Sequence, residues 1–483
     1  MIQKLIERYK SLPIPVKASF FFVFCGLFKD AVDIITTPIF TRLLTTEEFG
    51  LFGVYNSWYQ ILRIFVTLSL FSDIFNVGMA RFGEDSERFT SSQQGLLTAL
   101  FFLWCIIIIP VYKKIISFTG LQIQLIFIMM VQTYFTSFYA IWFQKKKYVY
   151  SYKLLTAVTL IYTLIQPIVG IICIKINSFG YDNGLMRIYT GVGVQILFGA
   201  IFLFIQFNNN RTLFVKEYWL FSLRNSIPLL PHYLSQVSLN QTDKLMINAF
   251  VGRSATAIYS VAHSAAFVIQ VVTVYLNETF VPWMYEKLKR KKYDGINKAI
   301  TGLVALISAV VFSLVLVAPE AMRFFAGEEY HDGIWIIPPL AFSVFLIFVY
   351  VLFSDFELFY EKSIYVLISS IIGALSNLIL NYIFIKRYGY LATGYTTIAG
   401  YFIMCCCHIF FTNIICKEQG ISFSAIYNLG ALCSIAIILC ILCAMIMLLY
   451  NYILIRYLIV SLLVVFFYFK RKPMINFIFN LKE

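Results

Sequence analysis

Apolar stretches of twenty or more residues follow one another along almost the whole of this 483-residue chain. Each is long enough to cross the ~30 Å hydrocarbon core of a bilayer as a helix. Within lipid every backbone N–H and C=O must be satisfied by the protein itself, so only helices and closed barrels can span. These runs are too long and too uniformly apolar for barrel strands, which alternate. The expected fold is therefore an all-α polytopic membrane protein. Only 13% of residues are charged, against ~25% in an ordinary soluble protein. Spans are expected at roughly 16–44, 50–80, 92–112, 120–143, 151–175, 185–207, 222–250, 255–284, 297–318, 334–358, 362–385, 391–413, 424–448 and 452–470, about fourteen helices. The loops between them are short and leave no room for a soluble catalytic domain. No catalytic residue, metal or cofactor is expected.

Lys and Arg near helix ends set orientation. With the N-terminus in the cytoplasm, the basic segments fall on the cytoplasmic side: Lys4, Arg8, Lys10 and Lys17; Lys145, Lys146, Lys147 and Lys153; Arg211, Lys216 and Arg224; Lys287, Lys289, Arg290, Lys291, Lys292 and Lys298; Lys470, Arg471 and Lys472. Lys113 and Lys114 are the main exception. An even number of helices returns the C-terminus to the cytoplasm. The first apolar run is too long for a signal peptide and reads as a retained first helix. The net charge of +14 is thus mostly topological, suited to anionic membrane lipids and not to nucleic acid. The ten cysteines read as small apolar packing residues. Cys405, Cys406 and Cys407 are consecutive within one span, and the Cys440-x-x-Cys443 pair lies inside another with no second pair.

The two halves resemble one another at an offset near 207 residues. LLTTEEFGLFGVYNS (43–57) aligns without gaps on FVGRSATAIYSVAHS (250–264), and Phe179-Gly180-Tyr181 matches Tyr388-Gly389-Tyr390. Six helices per half would make this a parallel repeat with substrate sites between the halves. The expected organisation is an N-terminal six-helix lobe (1–210), a C-terminal six-helix lobe (211–420), and two further helices with a tail (421–483).

Polar residues at membrane depth are the candidates for function, because a charge there costs at least ~2.5–3.5 kcal/mol on insertion scales. His232, Gln236, Asn240, Lys244 and Asn248 recur every fourth position and share one drifting helix face, with Asp243 beside them. The first span carries Lys29, Asp30, Asp33, Thr36 and Thr37, and the second carries Asn56, Gln60, Arg63, Thr67 and Asp73. The eighth carries His263, Gln270 and Asn277 at seven-residue steps, then Glu278. Lys29 and Arg63 both fall near mid-membrane. Arg63 has no acid three or four positions away, so it needs Asp30 or Asp33 from the first span, or an anionic ligand. Two readings stand: an ion-pair cluster that fixes helix packing, or a cationic patch for an anionic substrate. In the second, Asp30, Asp33, Asp73, Asp243 and Glu278 serve coupling or gating, with a proton or sodium ion as partner. His331 and His408 carry no pattern. Trp58, Tyr59, Trp142 and Trp283 suit interfacial belts or sugar-stacking surfaces alike.

Three segments carry a family resemblance. TPIFTRLLTTEEFGLFGVYNSW (37–58) resembles the N-terminal signature of the O-antigen flippase (Wzx) family, within the multidrug/oligosaccharidyl-lipid/polysaccharide exporter superfamily. SIPLLPHYLSQVSLNQTDKLMINAFVGRSATAIYSVAHSAA (226–266) is similar to the family's start of the second half, and LNYIFIKRYGYLATGYTTIAGY (380–401) to a third recurring segment. The resemblance implies two six-helix bundles arranged as a V, plus two C-terminal helices. It also implies alternating-access transport of an undecaprenyl-pyrophosphate-linked glycan, an O-antigen or similar repeat unit, from the cytoplasmic to the periplasmic leaflet of a bacterial inner membrane. Polysaccharide polymerase and chain-length machinery are partner candidates on the same footing. Lys29, Arg63 and Lys244 would serve the family's cationic cavity. The Asp243-Lys244 pair has Lys where Arg is common, and Lys is a point charge without Arg's bidentate fork.

The rivals separate on charge and on loops. A cation-coupled multidrug exporter of the same superfamily needs an acid-dominated cavity. An O-antigen polymerase or membrane glycosyltransferase generally has a large extracytoplasmic loop. A scaffold for the assembly machinery needs no buried charge.

Overall fold

The computed structural model describes residues 13–463 apart from 178, 179 and 181, together with 465 and 469. Lys4, Arg8, Lys10, Lys470, Arg471, Lys472, Phe179 and Tyr181 lie outside the described residues, as does the side chain of Asp73. Throughout the described residues the regular structure is helical. Nine helical stretches among them are long and apolar enough to cross a membrane, one of which, Ser363–Glu418, contains two helices.

Two compact units divide the chain, Met1–Leu245 and Met246–Glu483. The first contains α1 (Ile14–Leu43), α2 (Thr46–Thr67), α3 (Asp73–Arg81), α4 (Ser86–Thr119), α5 (Ile123–Tyr148), α6 (Tyr152–Ile176), α7 (Asn183–Asn209), α8 (Lys216–Ser226) and most of α9 (Leu230–Phe250). The second contains α10 (Arg253–Lys289), α11 (Ile296–Leu316), α12 (Ala318–Phe325), α13 (Ile337–Phe359), α14 (Ser363–Tyr388), α15 (Ala392–Glu418), α16 (Phe423–Ile426), α17 (Leu429–Leu448) and α18 (Ile453–Leu463).

Three expected spans are interrupted, each for a local reason. The run expected over 50–80 ends its first helix at Thr67, because Leu68 and Ser69 take left-handed φ of 50° and 52°. An L side chain is strained there, and the chain restarts as α3. The run over 222–250 is broken at Ile227–Leu229, where Pro228 supplies no N–H to the preceding turn. The run over 424–448 restarts at Asn428, whose side chain accepts from Ala431 N at 3.1 Å and caps α17.

Sequence-coded caps set other helix starts. Thr45 and Glu48 form a reciprocal capping box on α2. The second oxygen of Glu48 accepts from Asn183 N at 3.0 Å, so one carboxylate ties the starts of α2 and α7 together. In the first unit α7 packs on α5 and α6, and α2 packs on α5 and α7. Their shared core is built from Leu51, Val54 and Tyr55 of α2, Leu125 and Met129 of α5, and Ile188 and Val192 of α7. Gly199 permits the close approach of α7 to α5: a Cβ there would lie 2.2 Å from Phe135 O. In the second unit α13 is the central helix, buried against α10, α11 and α15. Arg456 of α18 donates to both oxygens of Glu320 on α12 at 2.8 and 2.9 Å. Outward faces are apolar, as on α4 with Phe102, Ile106 and Ile109 exposed. An apolar surface of that extent matches a lipid environment.

Candidate substrate cavity

A cavity of about 690 Å³ opens within the first unit, lined by α1, α2, α5, α6 and α7. Its charged lining consists of Lys29 and Asp33 from α1, Arg63 from α2 and Arg187 from α7. Three cations thus face one carboxylate. The charges of Lys29, Asp30 and Arg187 all act on Asp33. Proline and glycine shape the wall, with Pro167 and Gly170 on α6 and Gly191 on α7 keeping side-chain bulk out of the space.

Each cation is held differently. The Arg63 guanidinium lies over the Phe71 ring, 4.3 Å from its centroid, on the far side of the α2 break. Its buried Nε has no hydrogen-bond partner among the described residues, and no ion pair there joins Arg63 to Asp30 or Asp33. Of the two sequence readings for this arginine, the local carboxylate partner is not formed. Arg187 sits among Phe40, Phe49 and Phe52, whose centroids are 4.0, 4.8 and 3.7 Å away. Stacking on aromatic faces orients a guanidinium while leaving its N–H edge directed outward. Lys29 is exposed to the cavity. Thr37 ties Asp33 to the helix by donating to its carbonyl at 2.8 Å.

The neutral wall is rich in amides and phenols. Gln132 Nε2 donates to Gln195 Oε1 at 2.7 Å, and Gln132 Oε1 accepts at 2.6 Å from Tyr55, buried in the core behind the wall. Tyr59 and Thr136 share a 2.9 Å hydroxyl–hydroxyl bond. Gln60, Gln144, Gln166, Tyr139 and Tyr162 complete this side. Amide groups in such a wall can both donate to and accept from sugar hydroxyls, and the Tyr rings offer apolar faces.

Sequence reasoning selected Lys29, Asp33, Asn56, Gln60 and Arg63, and all five line this cavity. Asp30, their neighbour on α1, lies outside the lining. So does the α9 stripe: Gln236 and Asn240 are exposed, while His232, Lys244 and Asn248 are half-buried. Within the stripe Gln236 Nε2 lies 3.1 Å from His232 Nε2, and Asn240 donates to Gln236 O at 2.9 Å. Asp243 is buried. A different face of α9 meets α2, through Gln241, which accepts from Ser57 at 3.0 Å. In the second unit His263 stacks on Phe267 with centroids 3.8 Å apart. Gln270 is half-buried and its backbone carbonyl accepts from the Thr273 hydroxyl, Asn277 donates to Asp355 Oδ2 at 2.9 Å, and Glu278 is exposed. Asp73 opens α3.

The reading missed Arg187, Gln132 and Gln195. Arg187 is a lone cation in an apolar span, and that alone is the signal that could have marked it. The glutamines gave none, because their spacing follows no single helix face.

Comparison with solved structures places this fold. The structure is similar to the lipid II flippase MurJ in an inward closed conformation, with a TM-score of 0.70 at 16% identity over 95% of this chain and 100% of that one. It is also similar to an inward-facing multidrug resistance MATE family transporter of the MOP superfamily, with a TM-score of 0.60 at 13% identity over 82% and 95%. A third similarity is to a MOP superfamily transporter from Pyrococcus furiosus described by the reverse polarity of its binding pocket, with a TM-score of 0.56 at 15% identity over 85% and 96%. The fold is therefore that of a multi-pass, MurJ/MATE-like membrane protein. No curated protein matches the chain significantly. The family model for polysaccharide biosynthesis proteins matches residues 16–288, more than half the chain, and the chain belongs to that family.

Proposed function

We propose that this protein is a flippase for an undecaprenyl-pyrophosphate-linked oligosaccharide, an O-antigen or similar repeat unit. It carries the glycan from the cytoplasmic to the periplasmic leaflet of a bacterial inner membrane by alternating access of two six-helix lobes. Both termini are cytoplasmic, coupling is to a proton or a sodium ion, and polysaccharide polymerase acts on the delivered unit.

The observation that carries this reading is the excess of cations in the first-unit cavity, Lys29, Arg63 and Arg187 against Asp33. A pyrophosphate bears at least two negative charges and does not cross hydrocarbon unaided. Fixed cations offset its desolvation, and N–H groups bonded to a charged oxygen contribute ~1.5–3 kcal/mol each. The Gln and Tyr wall beside them suits the sugars, while the polyprenyl tail stays in lipid. Family membership supports the polysaccharide context, and the MurJ likeness supports a fold able to house a lipid-linked cargo. A multidrug exporter for cationic drugs is disfavoured by the same cation excess.

The test is deletion of the gene, followed by analysis of surface polysaccharide and of lipid-linked repeat units by leaflet. Loss of polymer with single repeat units trapped on the cytoplasmic face is the expected result. Repeat units that reach the periplasmic face unpolymerised would reassign the protein to polymerisation. Unchanged polysaccharide with heightened drug sensitivity would reassign it to drug export.

A further inference from the structure

The second unit contains a charged pair that the cavity does not use. Glu357 lies two residues before the end of α13, and His408 projects from α15. Both side chains are completely buried. His408 Nδ1 lies 3.0 Å from each Glu357 oxygen, and Thr412, one turn further along α15, donates to Oε1 at 3.3 Å. The other ring nitrogen, Nε2, is buried with no hydrogen-bond partner among the described residues. Lys362, in the turn after α13, pairs with Glu418, the last residue of α15, at 2.8 Å.

Proton bookkeeping at this pair leaves one labile proton. Both Glu357 oxygens can only accept when ionised, so Nδ1 must carry a hydrogen and donate. With Nε2 bare, the pair then holds a net negative charge inside a bundle, which is strongly unfavourable. One further proton from water, placed on Nε2, makes the pair neutral as an imidazolium against a carboxylate. The titratable groups around it are Tyr350 and Asp355 on α13, Tyr285 on α10, Cys407 and Cys416 on α15, and Tyr427 before α17. The nearby Lys362, whose backbone N–H donates to the Glu357 carbonyl, spends its ammonium on Glu418, so among the described residues His408 is the basic side chain in contact with the Glu357 carboxyl. Asp355 is engaged separately by Asn277. Neither member of the pair reaches solvent, so the proton can enter or leave only when the helices around the pair part.

We propose that Glu357 and His408 form an occluded one-proton site that couples the transport cycle to a proton gradient. The inference rests on the transport reading above and deepens it by naming the coupling ion and its seat. In the closed arrangement the pair holds one proton. Separation of the helices around the pair exposes it, the proton returns to water, and reclosure requires a new one.

Two experiments on the full chain test this. Histidine nitrogen NMR of the purified, 15N-histidine-labelled wild type reads the site directly. The expected result is one imidazole, slow to exchange with solvent, that gains a second proton between alkaline and acid pH, and whose signal is lost in His408→Gln. A spectrum in which no shielded imidazole changes protonation overturns the proposal, and the wild type alone decides it. In cells lacking the native gene, the wild type should restore polysaccharide export that collapses with a protonophore. Glu357→Gln should reach the membrane at the wild-type level and fail to restore export. Normal, protonophore-sensitive export by Glu357→Gln/His408→Gln would reduce the pair to packing and overturn the proposal. If the wild type itself restores no export, the transport reading fails, and the NMR result still decides the proton site.

Discussion

The two units treat charge in opposite ways. In the first, Lys29, Arg63 and Arg187 face an open cavity, and Arg63 is held by an aromatic ring in place of a carboxylate. In the second, Glu357 and His408 lie against one another with both side chains fully buried. Arg63, whose Nε has no hydrogen-bond partner among the described residues, is open to an anionic ligand, whereas His408 already lies against a carboxylate. On the proposed reading, membrane-depth charge has two uses here: cations in excess of one carboxylate around an open cavity, and a buried one-to-one acid–histidine contact.

The comparison breaks most decisively at the open site. Arg63→Ala combined with Arg187→Ala should abolish export while leaving membrane insertion intact. Each lost charged hydrogen bond of ~1.5–3 kcal/mol weakens anion binding about 10- to 100-fold. Immunoblotting of membranes beside a polysaccharide assay checks it, and normal export at normal expression would refute the role of the arginines.

Next in size is the helix packing behind the cavity. Gly199→Ala drives a Cβ toward the Phe135 carbonyl of α5 and should destabilise the first unit by ~1–3 kcal/mol. A lowered melting temperature in detergent is the readout. Tyr55→Phe removes the donor to Gln132 and should cost about 1 kcal/mol, with a weakening of cargo binding that leaves coupling unchanged. A change in protonophore sensitivity would show that the units do not divide their roles in this way.

The smallest effect lies at the edge of the second unit. Burial disfavours the charged form of Glu320, yet the hydrogen bonds from Arg456 outweigh it and hold the carboxyl below the usual carboxylate range. A depressed carboxyl stabilises the fold above its unfolded value of ~4.3, and that contribution fades as pH falls through the folded value. Glu320→Gln should therefore lower stability by about 1 kcal/mol at neutral pH, and the difference from wild type should vanish in acid. A difference that persists in acid would assign the effect to packing.

Much of this was legible in the sequence, for definable reasons. Helix type and placement follow from apolar runs that only helices can satisfy in lipid. Lys29, Asp33, Asn56, Gln60 and Arg63 stood out because each violates an apolar run, or shares a face with a residue that does. The breaks at Leu68 and Ser69 carried no Gly or Pro to announce them. Glu357 and His408 were invisible because they are fifty-one positions apart and neither belongs to a repeating polar pattern on its own helix. Only the packing of α13 on α15 makes them a pair. The α9 stripe shows the reverse: a regular pattern on one helix that the first-unit cavity does not use.

The most direct test of the central claim is a binding titration on the purified full chain. A polyprenyl pyrophosphate and a lipophilic phosphonium cation would be titrated into the wild type and into Arg63→Ala/Arg187→Ala. The account predicts that the wild type binds the pyrophosphate in preference to the cation, and that the double variant loses this preference. Tighter binding of the phosphonium by the wild type, or pyrophosphate binding unchanged by loss of both arginines, would contradict it.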